Sequence, residues 1–441
     1  MKLIVTAILT CIAAASFAQA TGSSQLTLDD AIKLALEKNY TARTAADALS
    51  SAEFSRSKAG DALLPSVTGS GSYTYSDQLT STLFYPNVPY ATHGLSYRVA
   101  ASLNLFNGGA DAANISAAGY ALDAAKYNLK WTRQVVAFNV ISDYVNALRT
   151  KELRSSAELT YSQDTTQLTR VRAQYSAGAV AVNAVYQQEA VVGQDLLQLI
   201  QSKNNYANAL ADLLFQLNIA PSRYGEFDVS LAGIDTNVVT MRSKTGDMQV
   251  TPSAIGDLLD HREDFASQRA NLLSQEESIK ITKAALLPTL NASFGIGGSG
   301  ANNTIPSIQL IHALSGSLTL SMPIFDKFQT SLQTDILNTQ LDEGRIQLEQ
   351  AEQQFRSDIT KADNNLRSSQ EALDASVSAL TSAEESYRSA TERLRVGAGI
   401  QVDVIVAQAA LETARVNRVN AVYNYVLATK QLEYLLGRTN Y

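Results

Sequence analysis

A chain of 441 residues with a formal net charge of −7 and 17% charged residues lacks the basic surface that nucleic acid requires, which removes nucleic acid as a partner. Its one cysteine, Cys11, and three scattered histidines, His93, His261 and His312, offer no disulfide, thiolate cluster or histidine triad, so no metal or organic cofactor is expected. Past residue 20 no stretch approaches the roughly eighteen apolar residues of a transmembrane helix, and any membrane crossing must be made by strands.

Residues 1–20 combine Lys2, an apolar run over 3–15 and the small-residue site Ala18-Gln19-Ala20, the pattern of a secretory signal peptide cleaved after Ala20. Leu9-Thr10 before Cys11 fits a lipidation box poorly, so lipidation is not expected. Over 27–60, Leu28, Ala31, Ile32, Ala35 and Leu36 recur at helical spacing behind Thr27, with Asp29 and Asp30 in the first turn, and predict one amphipathic helix. Leu63-Leu64-Pro65 ends it, and the period then falls from about 3.6 residues to about 2.

Over 67–76, Val67, Gly69, Gly71, Tyr73 and Tyr75 face one way and Thr68, Ser70, Ser72, Thr74 and Ser76 the other, a strand with one apolar and one polar face. Residues 77–94 read as a loop. A second strand follows, with Leu95, Tyr97, Val99, Ala101, Leu103 and Leu105 against Ser96, Arg98, Ser102 and Asn104. Phe106-Asn107-Gly108-Gly109 leads into 110–176, which as one helix would run roughly 100 Å. The stretch 175–185, with Gly178, reads as the tip of a helical hairpin, and 183–217 returns as a helix of about half that length.

The second half replays the first. Ala254, Ile255, Leu258 and Leu259 take the places of Ala31, Ile32, Ala35 and Leu36, and Leu286-Leu287-Pro288 answers Leu63-Leu64-Pro65. Leu290, Ala292, Phe294 and Ile296 alternate with polar or glycine residues, as do Leu314, Leu318, Leu320, Met322 and Ile324, with a loop over 298–308 between them. Phe325-Asp326 answers Phe106-Asn107, and a second tip at 394–404 carries Gly397 and Gly399. The strand-to-helix junctions fall at Pro65, Phe106 and Gly108, and at Pro288, Pro323 and Phe325. All eight prolines lie outside 110–217 and 326–436, as two long helical hairpins require, since proline inside a helix costs about 3 kcal/mol.

The chain thus divides into a signal peptide (1–20), a first repeat (21–217), an equatorial segment (218–251) and a second repeat (252–441), each repeat running helix, two strands, long helix, tip, helix. Two short helices stacked end to end match one long one, which predicts a helical barrel or bundle with a seam midway. The fold class is mainly α with a membrane β-barrel contribution. Four strands cannot close a barrel in lipid without leaving unpaired edges, so several chains must pool theirs. From the strands alone, a soluble sheet with one buried face stands as the alternative.

This order, with Leu-Leu-Pro before each strand pair, Phe-Asn-Gly-Gly and Met322-Pro323-Ile324-Phe325-Asp326 after them, and Gly397 to Asp403 at the second tip, resembles the TolC-like outer membrane efflux family over essentially all of the mature chain. The resemblance implies a homotrimer with a twelve-stranded barrel in outer membrane lipid and a periplasmic helical tunnel. It also implies docking onto a periplasmic adaptor (membrane fusion protein) and an inner-membrane pump or ATP-driven exporter, with both strand loops outside the cell. Asp403 matches an acidic position lining the family's periplasmic entrance. Val406 stands where a second acid is common, and the first half offers Ala184 beside Asn183, so one acidic ring is expected rather than two. Arg172, Tyr175, Gly178, Arg393, Gly397 and Gly399 are candidates for tip turns and adaptor docking.

The function that follows is the exit duct of a tripartite efflux pump or type I secretion system. A periplasmic adaptor or coiled-coil scaffold is the alternative, but it would carry a single hairpin flanked by other domains. No nucleophile motif or phosphate loop points to an enzyme, and a general porin needs more strands per chain.

Overall fold

In the computed structural model, residues 24–77, 91–231, 252–302, 305 and 308–438 are described. The expected signal peptide with Cys11, and parts of both strand loops and of the equatorial segment, lie outside them. In chain order the elements are β1 (Ser24–Leu26), α1 (Leu28–Lys38), α2 (Tyr40–Asp61), β2 (Ser66–Asp77), β3 (Ala91–Asn107), α3 (Ala110–Ser176) and α4 (Val182–Gln216). A 3-10 turn (Pro221–Glu226) then leads to β4 (Phe227–Val229), α5 (Pro252–His261), α6 (Glu263–Ala284), β5 (Thr289–Asn302), β6 (Ile311–Ser321), α7 (Gln329–Arg395) and α8 (Gln401–Leu435).

The long helices α3 and α7 have 67 residues each and their return helices α4 and α8 have 35 each, so the expected two-to-one lengths hold. The helix expected over 27–60 is instead two. Asn39, at φ −59° and ψ 136°, leaves helical geometry, and its Oδ1 accepts from the Thr41 N–H at 2.8 Å to start α2. The same side chain donates Nδ2 to the Gln216 carbonyl at 2.8 Å, satisfying the end of α4. The kink therefore lets one helix end cap another.

The second repeat performs the same operation with a different residue. Arg262 separates α5 from α6 and donates Nη1 to the Leu435 carbonyl at the end of α8, 3.3 Å away. Its guanidinium forks onto Asp264 at 3.0 and 2.8 Å and lies 4.5 Å from the ring centre of Trp131 and 4.2 Å from that of Phe355. These two caps form the seam, and the main core surrounds it: Ile32, Tyr144, Leu213, Leu259, Phe265, Ile359, Tyr425 and Leu432 from both repeats are buried together.

Two short strands, β1 and β4, pair in parallel beside this core; the weakly periodic sequence gave no sign of them. The Tyr144 hydroxyl donates to the Leu26 carbonyl at 2.7 Å. Lys151 reaches both Asp228, at 2.8 Å, and the Val229 carbonyl, at 2.6 Å.

The other four strands form one antiparallel sheet in the order β2-β3-β5-β6. Its apolar face is bare: Val67, Tyr73, Leu95, Val99, Phe294, Ile296, Leu314, Leu318 and Leu320 are all exposed. That removes the soluble sheet with a buried face, because no described element covers this one. The loops expected at 77–94 and 298–308 are shorter, since β3 already pairs from Ala91 and β5 continues to Asn302. Near these strand ends the His93 ring shares a 2.7 Å hydrogen bond with Tyr73, and the His312 ring a 2.6 Å one with Tyr97.

Two further expectations about the strands are corrected. The alternation over 95–105 does not run through Leu105, since the register steps from Asn104 opposite Asn291 to Phe106 opposite Leu290, a bulge that returns Phe106 to the apolar face. The alternation read as far as Ile324 stops at Ser321, where Pro323 supplies no N–H for the ladder. Among the described residues no helix is long and apolar enough to cross a membrane.

Candidate functional site

Both tips are built by the same turn. At the first, Gly178 takes φ +73°, its N–H donates to the Tyr175 carbonyl at 2.9 Å, and the Ala179 N–H reaches back to Gln174 at 2.9 Å. At the second, Gly397 takes φ +76°, with bonds from Gly397 to Leu394 at 3.1 Å and from Ala398 to Arg393 at 2.8 Å. This double closure satisfies the last carbonyls of a helix and needs a left-handed residue, which glycine accepts without strain.

Beyond the turn the tips diverge. Leu168, Val171 and Val185 are buried together at the first tip, with Val180 and Ala184 packed on them. The second has no such cluster among the described residues: Val396, Ile400, Val402 and Val406 are exposed. Gly399 stands where the first tip has Val180, and a Cβ there would come 3.1 Å from the Leu394 nitrogen and 3.2 Å from the Arg393 carbonyl carbon. Space, rather than backbone dihedral, selects this glycine.

Asp403 lies exposed in the first turn of α8, its N–H bonded to the Ile400 carbonyl at 3.2 Å. The positive end of the helix dipole favours a carboxylate there. The matching position in the first half, Ala184, is half-buried on the apolar cluster, where an acid would lose hydration. The absence of an acid at position 184 thus has a packing reason.

The structure separates the other tip candidates. Arg172 ties α3 to α4 through Glu189 at 2.7 Å, while Tyr175 and Arg393 are exposed. Near Arg393, it is Arg395 that bonds Glu392, at 2.8 Å.

At the opposite end of the helices the junction residues gather. Pro65 and Pro288 each follow a helix closed by paired turn bonds, Leu63 to Gly60 and Leu64 to Asp61 in the first repeat, Leu286 to Lys283 and Leu287 to Ala284 in the second. Gly108, at φ +69°, is pressed on the second repeat: a Cβ would lie 2.7 Å from both the Ala284 oxygen and the Leu287 Cβ. The counterparts of Gly108 and Gly109 are Lys327 and Phe328, which hold φ 57° and 61° as non-glycine residues. Asp326, whose importance the sequence hid, organises that strained turn by accepting from the Phe328 and Thr330 N–H groups at 3.0 and 2.9 Å. Hydrogen bonding by the Thr330 side chain first, then by the Thr330 and Phe328 N–H groups, holds its carboxyl below the usual carboxylate range. Phe325 meets Phe328 edge-on at 5.6 Å, and Phe106 and Phe325 are both exposed.

Comparison with known proteins places this architecture. The profile of the family described as "Outer membrane efflux protein" matches residues 31–218 and again 254–438, one match for each repeat. The chain is 23% identical over 386 residues to the outer membrane efflux protein BepC of Brucella suis biovar 1 (strain 1330), an alignment covering 86% of this chain and 78% of that protein. It is 24% identical over 318 residues to the outer membrane protein TolC of Escherichia coli (strain K12), covering 70% of this chain and 62% of that one. Its fold is similar to the crystal structure of CusC, with a TM-score of 0.78 at 19% identity over 96% of this chain and 95% of that one. It is also similar to that of VceC from Vibrio cholerae, with a TM-score of 0.75 at 17% identity over 93% and 96%. The family and the fold are those of channel proteins rather than adaptors or scaffolds. The chain belongs to the outer membrane efflux protein family, as an outer-membrane channel whose helical hairpins extend into the periplasm.

Proposed function

We propose that three copies pool their strands into a barrel and their hairpins into a tunnel. This duct receives its cargo through a periplasmic adaptor from an inner-membrane pump or ATP-driven exporter. The observation that carries the reading is the sheet: an apolar face bare to solvent and two outer strands, β2 and β6, each paired on one side only among the described residues. Such edges are stable in lipid only when other strands close them. Cysteines on facing positions of β2 and β6 should crosslink into a closed oligomer in membranes; monomers alone after oxidation would refute the arrangement.

Within that duct Asp403 from each copy lines the entrance, where carboxylates attract cations and repel one another. The turns at Gly178 and Gly397, with Gly399, shape the tips, and Arg172, Tyr175 and Arg393 are the docking candidates, Arg393 the foremost because Arg172 is already paired. Exposed Val396, Ile400 and Val406 around Asp403 offer an adaptor or a neighbouring copy apolar surface. Asp403→Asn should weaken cation preference in a planar bilayer, and unchanged selectivity would remove Asp403 from the entrance. Residues 218–251, between the repeats, serve as the equatorial segment, of which the described strand β4 pairs with β1.

A further inference from the structure

A cavity of about 550 Å³ lies between α3, α4 and α8, on the tip side of the equatorial core, with Asp164, Asp195 and Glu412 in its wall. Asp164 is 2% exposed, and both its oxygens are occupied: Gln188 of α4 donates to Oδ1 at 3.1 Å and Gln408 of α8 donates to Oδ2 at 2.7 Å. Glu412 accepts from the Thr160 hydroxyl at 2.6 Å and from Arg415 at 3.0 Å. Asp195 is left over. Its Oδ2 is buried and meets no donor among the described residues, and its carboxyl shares the cavity wall with that of Asp164.

The flanking cations are committed elsewhere. Arg154 and Lys203 lie against Glu158 at 3.6 and 3.8 Å, Arg172 holds Glu189, and Arg415 holds Glu412. Two carboxyls that face each other in a half-buried site without a cation between them are relieved by one shared proton. Asp164 is also the hub at which α4 and α8, members of different hairpins, both bond α3.

We propose that Asp164 of α3 and Asp195 of α4 share a proton that clasps the two arms of the first hairpin where α8 docks on Asp164, and that losing it loosens α4 and α8 from α3 on the approach to the tips. With the proton bound, Asp195 donates to Asp164 and the cavity stays closed. Without it, two like charges and the nearby Glu412 face one another, and water must enter to screen them. Burial first, then the hydrogen bond and charge of Asp164 and the charge of Glu412, push Asp195 up to about 7. Its folded value therefore lies above the ordinary 3.8, and between the two the folded chain holds more protons than the unfolded one. The clasp is complete below about pH 4 and is lost as pH rises through about 7. The device would make the duct looser in neutral to alkaline surroundings than in acid ones.

The test is hydrogen exchange by mass spectrometry on the purified full chain in lipid nanodiscs from pH 5.5 to 8.5, corrected for intrinsic exchange, with bilayer conductance alongside. Amides over 188–202 and 405–413 should lose about tenfold in protection between pH 6 and 8, one unit's worth of a titrating group. Asp195→Asn, which keeps the shape and brings its own donor to Asp164, should abolish the step. Glu412→Gln keeps an acceptor for Thr160 and removes a charge beside Asp195, so the midpoint should move to lower pH. A step of unchanged size in Asp195→Asn, or an unmoved midpoint in Glu412→Gln, overturns the clasp, as does disappearance of the step in Asp403→Asn. The exchange readout holds whether or not the protein conducts; an absence of conductance in every variant would instead tell against the channel reading.

Discussion

Replacing Arg262 by methionine tests whether the seam is held by one side chain. The Leu435 carbonyl would lose its donor, worth about 1 kcal/mol. Stacking over Trp131 and Phe355, at 4.5 and 4.2 Å, would be replaced by apolar packing with a net loss of about 1 kcal/mol. The Asp264 side chain, 20% exposed beside a guanidinium that is 9% exposed, would lose both forked bonds. Breaking a fully buried pair costs about 3–5 kcal/mol, but solvent reaches this carboxylate, so about 1 kcal/mol is the fitting share. Together these come to about 3 kcal/mol, or on the order of 100-fold in the local opening equilibrium. Native-state hydrogen exchange should show that acceleration at the α5–α6 kink and the end of α8, with the strands unaffected. Asn39→Ala removes only neutral caps and should accelerate the end of α4 by about fivefold, for about 1 kcal/mol. Exchange in Arg262→Met within about threefold of the wild type would refute the reasoning.

The junctions should respond in opposite directions to glycine and alanine. Gly108→Ala combines φ +69° with 2.7 Å contacts to backbone and side chain and should destabilise by about 2–4 kcal/mol, lowering the thermal unfolding midpoint of the purified channel. Lys327→Gly relieves φ 57° at an exposed side chain and should raise that midpoint, for about 1 kcal/mol. The β1–β4 pair should be acid-labile. Burial raises the Asp228 carboxyl, but bonds from Lys151 and Tyr206 outweigh it and leave it below its ordinary 3.8. Its contribution is therefore full above about pH 4 and lost as pH falls through the depressed value. Exchange at residues 24–26 should rise on acidification in the wild type, and Asp228→Asn should be insensitive over the same range.

Much of the fold was legible because its signals are local. Proline exclusion over 110–217 and a left-handed glycine at each tip locate both hairpins from neighbouring residues alone. Asn39 and Arg262 were not legible as kinks, since each leaves the helix to satisfy a carbonyl on another, at Gln216 and at Leu435. The bulge at Leu105 escaped for a related reason: alternation is a property of one strand, whereas register belongs to two. At the tips, the left-handed glycines at 178 and 397 could be read locally, but not why position 184 lacks an acid, because the cluster of Leu168, Val171 and Val185 joins residues from both arms of the hairpin.

The sequence by itself determined the duplicated order of elements, the lengths of the long helices and the strands' two-faced character, because helix and strand periodicity and backbone sterics act between near neighbours. Only the tertiary structure decided the seam caps, the β1–β4 pair and the meeting of Asp164 with Asp195. Each depends on charges or hydrogen-bonding groups that are distant in sequence sharing one poorly hydrated space, and a partner's desolvation cannot be read from residues that are neighbours only after folding.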